Sequence, residues 1–266
     1  LGLYQVATAA LEPLAPLILS ARARRGKEDP ARIGERMGRP SVARPDGPLV
    51  WLHGVSVGES LSLLPLIDRL RARRPDLNLL VTSGTVTAAS LLARRLPAGV
   101  IPQYAPIDGR RAVRRFLDHW RPAAGLFAES ELWPNLIMDA HGRGVKLALI
   151  SARITERSAE GWSRRPTAAR ALLSAFDLVL PQDEASAVRL QKLGASVGPR
   201  LNLKLAGSAP AAAHPPEPVG TRKIPLDLGV TPAAPPPAAA PAPAPAPAPV
   251  APPPARPKLA ARTPKP

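Results

Sequence analysis

The chain contains no cysteine. That excludes a disulfide framework, a thiolate metal site and a cysteine nucleophile, and it suits a reducing compartment. Its four histidines (His53, His119, His141 and His214) are far apart and show no ligand spacing, which argues against a metal enzyme. Aromatic residues make up only 3% of the chain, and there is no uninterrupted long apolar run. The most apolar segment, Leu1 to Ser20, is broken by Glu12, Pro13 and Pro16. A membrane span wants about 20 apolar residues with few charges, so this segment is expected to fall short of one. No small-residue cleavage site follows it either. The first residue is Leu1 rather than Met, as in a fragment whose start lies elsewhere.

What the chain does have is positive charge, a formal net of +16, which favours anionic partners. None of the usual nucleic-acid-binding motifs is present, so no specific nucleic-acid partner is expected. Arg22, Arg24, Arg25, Lys27, Arg32, Arg36 and Arg39 directly follow the apolar segment. An apolar stretch beside a basic run suits residues 1–30 lying on an anionic membrane surface. The alternative is a helix packed on its own domain with a solvated charged face. The 36 prolines crowd beyond about Pro210, and residues 235–254 are almost pure Pro and Ala. Proline removes backbone donors, so 206–266 is expected to be a disordered or polyproline II tail.

Between these ends, residues 31–205 alternate short apolar runs with helical periodicity. Strands are expected at Leu49–His53, Leu77–Val81, Val100–Tyr104, Gly125–Phe127, Lys146–Ile150 and Leu178–Leu180. Helices are expected at Ser60–Arg74, Thr87–Arg95, Arg110–Trp120, Leu132–His141, Pro166–Ser174 and Glu184–Leu193. Repeated strand–helix alternation predicts an α/β fold, a Rossmann-like doubly wound parallel sheet with right-handed crossovers. Ligands of such sheets sit beyond the carboxyl ends of the strands, which directs attention to four loops.

Gly54-Val55-Ser56-Val57-Gly58-Glu59 follows a strand and opens a helix. Backbone N–H groups there can hold an anion, with Gly58 allowing close approach, and Glu59 falls in the first helical turn, where the dipole favours a carboxylate. Glu59 reads either as a catalytic carboxylate or as a helix cap. Thr82, Ser83, Thr85 and Thr87 concentrate hydroxyls in the second loop, fit for sugar or phosphate oxygens and equally fit for capping. Glu129-Ser130-Glu131-Leu132-Trp133-Pro134-Asn135 places two carboxylates two residues apart. One is expected to face the cleft and the other to cap the helix, with Trp133 and Pro134 packing to fix the loop. Arg153 follows the fifth strand, where it can bind a carboxylate or phosphate bidentately or pair with a loop glutamate.

Taken in order, these loops resemble the Kdo transferase family (Kdo is 3-deoxy-D-manno-oct-2-ulosonic acid). The resemblance rests on Gly34-Glu35-Arg36-Met37-Gly38, the run from Trp51 to Glu59, Thr82 to Thr87, Glu129 to Asn135, Ala152-Arg153 and Asn202-Leu203-Lys204. It spans nearly everything from Leu1 to Lys204, and Ser-Val-Gly-Glu with Glu-Ser-Glu-Leu-Trp-Pro-Asn is specific in combination. The resemblance implies a GT-B glycosyltransferase, of which this would be the N-terminal, acceptor-binding half. It implies an inverting transfer of Kdo from CMP-Kdo to a lipid A precursor in lipopolysaccharide biosynthesis. The implied place is the cytoplasmic face of the bacterial inner membrane, and no metal or cofactor is implied.

By the family pattern Glu59 is the general base and Glu129 the second essential carboxylate. Ser56, Gly58, Thr82, Ser83, Thr85 and Arg153 are then the expected substrate-binding residues. Two positions depart from the pattern: Ser151 stands where the family usually has Asn, and Leu201 where it usually has Gly. No second strand–helix series follows Lys204, so the expectation is a chain without its donor domain, by truncation or frameshift. The other reading is a lipid-binding module that holds acidic lipid without turnover.

Overall fold

The computed structural model describes residues 1–206. The Pro/Ala-rich tail expected beyond them lies outside the described residues.

Six parallel strands form one sheet in the order β3-β2-β1-β4-β5-β6. They are β1 (Leu49–His53), β2 (Asn78–Ser83), β3 (Ile101–Tyr104), β4 (Ala124–Ala128), β5 (Lys146–Ala152) and β6 (Leu178–Pro181). This is the α/β, Rossmann-like doubly wound architecture that the alternation predicts. The chain steps outward from β1 to β3, returns to the middle, and steps the other way to β6. Because parallel crossovers are right-handed, the two directions place their helices on opposite faces.

One face carries α4 (Val57–Arg73) and α5 (Val86–Arg95), which pack Leu63, Ile67 and Leu92 on Val50, Leu52 and Val81. The other face carries α6 (Arg110–Trp120), α7 (Pro134–Gly142), α9 (Pro166–Leu173) and α10 (Glu184–Lys192). Its core centres on Trp51, Phe116, Trp120 and Phe127, all fully buried. Helix α6 shows how its sequence dictates this: Val113, Phe116, Leu117 and Trp120 recur at helical spacing and are buried, while Arg114, Arg115, Asp118 and His119 occupy the positions between. The buried indole N–H groups are satisfied, Trp51 donating to Thr82 Oγ1 at 2.7 Å and Trp120 to Gln103 Oε1 at 3.0 Å.

Several elements differ from expectation, among them two helices. A helix not anticipated in the sequence, α8 (Glu156–Ser163), precedes α9; it has no buried residue and is capped by Thr155. Helix α4 starts three residues earlier than expected, so Pro65 lies in its interior and the carbonyl of Leu61 loses its helical donor.

The N-terminal segment requires a larger correction. Helices α1 (Gly2–Leu11) and α2 (Ala15–Ala23) are joined by a 3-10 turn over Glu12–Leu14. Leu11, Glu12, Leu14 and Ala15 all have right-handed helical dihedrals. Pro13 and Pro16 stand in first-turn positions, where a missing N–H costs nothing. The interruptions seen in the sequence therefore do not break the helix. The run Gly2–Ala23 is long and apolar enough, by length and composition, to cross a membrane. In the structure one side of it is docked on the domain. Tyr4 Oη donates to Asp108 at 2.8 Å, and Asn135 Nδ2 donates to Thr8 Oγ1 at 3.0 Å.

Glu12 is the firmest anchor. It is buried and accepts from the N–H groups of Arg111 (2.9 Å) and Ala112 (2.7 Å) in the first turn of α6, whose own N-cap is Gly109 with no side chain to offer. The opposite side of the run exposes Leu3, Val6, Leu14, Leu17 and Ile18.

The short helix α3 (Ile33–Arg36) belongs to the Gly34–Gly38 motif. Glu35 is buried there, accepting from Arg32, Ser41 and the backbone N–H of Tyr104. Gly38 has φ +73°, and a Cβ built on it would lie 1.9 Å from the Ala112 carbonyl oxygen, so this motif packs directly on the α6 backbone.

Candidate functional site

The carboxyl ends of β1, β4 and β5 are adjacent in the sheet, and the loops that leave them carry the acidic residues. Ser56 is the N-cap of α4, and its hydroxyl exchanges bonds with Glu59 in both directions. Ser56 Oγ accepts from the Glu59 N–H (3.3 Å) and donates to Glu59 Oε1 (2.7 Å). Glu59 Oε2 accepts from the Val55 N–H at 2.8 Å. Glu59 thus reaches back to the residue before the N-cap, a variant of the capping box, so the capping role weighed for Glu59 is realised. It does not exhaust the carboxylate. Each oxygen takes one protein hydrogen bond and accepts along two lone-pair directions, and the side chain is half-buried. Capping fixes its rotamer and leaves capacity for one more hydroxyl.

The loops after β1 and β2 are locked together. Gly84 N–H donates to the Val55 carbonyl, and a Cβ on Gly84 would come within 2.4 Å of Val55 Cγ1. By contrast, a Cβ on Gly58 would meet nothing within 4 Å. Bare backbone at the start of α4 therefore faces open space.

The hydroxyl cluster is placed differently from expectation. Strand β2 runs on to Ser83, so Thr82 and Ser83 are strand residues and fully buried. Thr82 Oγ1 serves the interior, bonded to Trp51 Nε1 and to His53 Nδ1 (2.8 Å). Burial pulls the His53 pKa down to about 3, with Arg36 contributing, so the ring is neutral. Thr85 is exposed beyond the strand end and caps α5, accepting from the Ala88 N–H.

Glu129 directly follows β4 in the left-handed region, at φ +58°, and is buried. A non-glycine residue held there is strained, and such strain concentrates where a side chain must be aimed. Its partner is Lys204, whose Nζ lies 2.6 Å from Glu129 Oε1, acting as a neighbouring charge more than as an aligned hydrogen bond. The ion pair considered for Arg153 with a loop glutamate is thus made by Lys204. Arg153 is exposed, and its field helps hold the Asp183 carboxyl below its usual range, after the hydrogen bonds from Ser186.

The capping expected from the Glu129–Glu131 pair is also made by another residue. Helix α7 begins at Pro134, and the N–H groups of Asn135 and Leu136 donate to Asp108 at 3.1 and 2.8 Å. That releases Glu131, which accepts a close hydrogen bond from Trp133 Nε1. Desolvation pushes the Glu131 pKa up to about 7, and the charges of Glu59 and Glu129 add to the rise. Three carboxylates from two strand ends therefore share one electrostatic neighbourhood, with one of them titrating near neutrality. Trp133 also stacks edge-on against His53, tying this loop to the end of β1.

Ser151 closes the site from β5. It is buried, has φ +52°, and its hydroxyl accepts from the Leu203 N–H at 3.4 Å. Asn tolerates this backbone region better than other non-glycine residues. That gives a physical reason for an Asn at this position in the family pattern. A cavity of about 70 Å³ lies between Glu129, Arg153, Ser158 and Trp162. Among the described residues no three His, Cys, Asp or Glu side chains form a metal-ligand cluster.

Of the residues expected from sequence, Ser56, Glu59 and Glu129 come together at neighbouring strand ends, with Gly58, Thr85 and Arg153 on the loops around them. Lys204 and Glu131 were not singled out. Lys204 lies in the Asn202-Leu203-Lys204 motif, and that motif was the available signal. For Glu131, the second acid of its motif, the signal was the paired-carboxylate spacing.

Comparison with known proteins bears on this arrangement. The model of a family described as 3-deoxy-D-manno-octulosonic-acid transferase (kdotransferase) matches residues 31–206. A probable 3-deoxy-D-manno-octulosonic acid transferase, mitochondrial, of Arabidopsis thaliana is 41% identical over 196 residues, covering 73% of this chain and 44% of that protein. A 3-deoxy-D-manno-octulosonic acid transferase of Rickettsia bellii is 35% identical over 205 residues, covering 77% and 49%. The chain thus spans about half the length of the curated relatives it matches. Among solved structures, a UDP-GlcNAc 2-epimerase from Neisseria meningitidis is similar at TM-score 0.44 and 12% identity, over 58% of this chain and 47% of that one.

Proposed function

The chain belongs to the 3-deoxy-D-manno-octulosonic acid transferase family, and from that premise we propose that it forms the acceptor-binding half of a Kdo glycosyltransferase of lipopolysaccharide biosynthesis. The donor is CMP-Kdo and the acceptor a lipid A precursor. The observation that carries this reading is the convergence of two carboxylates at adjacent strand ends, both acting on Glu131, with Glu59 held by Ser56 Oγ and the Val55 N–H and Glu129 held against Lys204.

In the proposed reaction an acceptor hydroxyl oxygen attacks the anomeric carbon of Kdo. The bond from that carbon to the phosphate oxygen breaks, CMP departs with the electron pair, and configuration inverts. The hydroxyl proton passes to the Glu59 carboxylate. Proton acceptance of this kind is worth about 10²–10⁴ in rate. Glu129 with Lys204 and the exposed Arg153 orient the acceptor. No cofactor or metal is required.

The N-terminal helices supply the second part of the proposal. Their exposed face carries Leu3, Val6, Leu14, Leu17 and Ile18, followed by the exposed basic residues Arg22, Arg24, Arg25, Lys27 and Arg39, while Arg36 of the same run is buried against Glu28. Large apolar side chains left in water beside positive charge suit an anionic membrane surface. We place the chain at the cytoplasmic face of the bacterial inner membrane, peripheral or anchored through this segment. A groove of about 330 Å³ between these helices and Ile107–Gly109, floored by Leu11, Ala15 and Leu19, is large enough for part of an acyl chain.

The test measures CMP release from CMP-Kdo with a lipid A precursor, for the chain and its Glu59→Gln variant. Lipid-dependent release that falls by about 10²–10⁴ in the variant supports the reading. The exposed apolar face favours one other reading, an acidic-lipid-binding module without turnover. Lipid binding without CMP release, unchanged by Glu59→Gln, would select it.

A further inference from the structure

The loop that carries Glu129 and Glu131 is fastened at its two ends. At the first, the Glu129 N–H donates to the Ile150 carbonyl of β5 at 3.0 Å. Between the ends the hydrogen bonds are local: the Leu132 N–H donates to the Ser130 carbonyl, and Trp133 Nε1 donates to Glu131. At the second end α7 starts at Pro134, and Trp133 in the N-cap position offers no side-chain cap. The next donors, the N–H groups of Asn135 and Leu136, are taken by Asp108, which stands just before α6.

Helix α1 completes this second fastening. Tyr4 Oη donates to the same Asp108 oxygen that accepts from the Asn135 N–H, at 2.8 and 3.1 Å. Burial, with the Asp108 charge beside it, pushes the Tyr4 phenol above its ordinary pKa, so it remains a donor. The Asn135 side chain makes the second link. Its Nδ2 donates to the Asp108 carbonyl at 2.5 Å and to Thr8 Oγ1 at 3.0 Å. Thr8 Oγ1 gives its own proton to the Tyr4 carbonyl at 2.9 Å, so toward Asn135 it acts as the acceptor. Both amide protons of buried Asn135 are thereby used, and its orientation is fixed. Tyr4 and Thr8 are one helical turn apart and face the domain, while Leu3 and Val6 between and beside them are exposed.

We infer that Tyr4 and Thr8 are positioning residues for the acidic loop, which takes its working geometry only while α1 is seated on Asp108 and Asn135. With α1 lifted, Asp108 loses its Tyr4 donor and the Asn135 amide loses Thr8, so Asp108 alone holds the end of the loop. The loop begins at Glu129 in the left-handed region, φ +58°, and such a conformation persists only where its surroundings over-determine it. The outward side of α1 is the apolar face that the proposed function lays on a membrane. Whatever seats or lifts α1 there acts on Glu129 and Glu131 through this relay. The inference rests on the proposed function only for what the carboxylates do; the relay belongs to the fold.

The Trp133 indole N–H reports on the loop, since it donates to Glu131 within it. The full 266-residue chain is isotope-labelled on nitrogen, and the indole signal is assigned by its loss in Trp133→Phe. Its position and its exchange with solvent are then measured by NMR in four chains: the native one, Tyr4→Phe with Thr8→Val, Thr8→Ser, and Leu92→Ala. The last opens a cavity on the opposite face of the sheet. In the Tyr4→Phe, Thr8→Val chain the signal should move and exchange about tenfold faster or more, as expected when a hydrogen bond to a charged group and one to an amide are lost. Thr8→Ser keeps the hydroxyl and should keep the native signal, and Leu92→Ala should leave it in place despite its lower stability. An unchanged signal in the Tyr4→Phe, Thr8→Val chain overturns the inference. So does an equal change in Leu92→Ala, which would make the effect one of stability, or in Thr8→Ser, which would make it one of side-chain size. The readout requires no turnover, so its failure and that of the CMP-release test are distinguishable.

Discussion

Glu12 interrupts the most apolar stretch of the sequence, yet the structure makes it the pin of the N-terminal helices. Replacing it with alanine removes both hydrogen bonds to the first turn of α6, at 2.9 and 2.7 Å, and leaves the N–H groups of Arg111 and Ala112 without a partner. A hydrogen bond to a charged group contributes about 1.5–3 kcal/mol, and losing a helix cap costs about 0.5–2 kcal/mol. Because these overlap, the expected loss for Glu12→Ala is about 3 kcal/mol. With a urea m-value near about 3 kcal/mol/M for a domain of this size, the unfolding midpoint should fall by about 1 M. Glu12→Gln keeps one acceptor oxygen and turns an amide donor toward an N–H group, so about half the loss is expected. Hydrogen exchange should show the first turn of α6 and residues 2–23 losing protection together, since the carboxylate is their shared contact. A Glu12→Ala unfolding free energy within about 0.5 kcal/mol of the native chain's, the range of ordinary surface substitutions, would refute the assignment.

Other consequences follow from the same contacts. Glu131 has its pKa raised from 4.5 to about 7, so between those values the folded chain keeps a proton that the unfolded chain gives up. Its contribution to stability is full below about pH 4.5 and is lost as the pH rises through about 7. Glu131→Gln should therefore gain stability relative to the native chain as the pH is raised across this window; urea midpoints at pH 4.5, 6 and 8 measure it, and a constant difference would be inconsistent. Gly38→Ala puts a methyl group 1.9 Å from the Ala112 carbonyl at φ +73° and should cost at least about 3 kcal/mol, lowering Tm by about 6–12 °C. Gly58→Ala, with open space at its Cβ and a helical position, should be neutral or raise stability by up to about 1 kcal/mol in the same thermal scan.

Much of this protein could be read from sequence because much of it is local. Alternating apolar runs and helical periodicity gave all six strands and the parallel doubly wound class. Capping chemistry placed Glu59 in the first turn of α4, and the motif strings identified the family. The errors have physical causes of the same kind. Apolar periodicity ends where Thr82 and Ser83 begin, although the strand continues, because buried hydroxyls with partners are as well accommodated as aliphatics. Prolines at first-turn positions look like breaks in a sequence and act as starts in a helix.

Sequence alone determined which runs become strands, with ends one or two residues short in four of them, and which acidic residues stand near those ends, since backbone preference and hydrophobic period are properties of neighbours along the chain. Tertiary structure alone decided who partners whom. Glu12 caps a helix 99 residues away, Asp108 in place of a motif glutamate caps α7, and Lys204 in place of Arg153 faces Glu129. These pairings depend on strand order and crossover hand, which set the distance between residues far apart in the chain and leave no periodic trace in it.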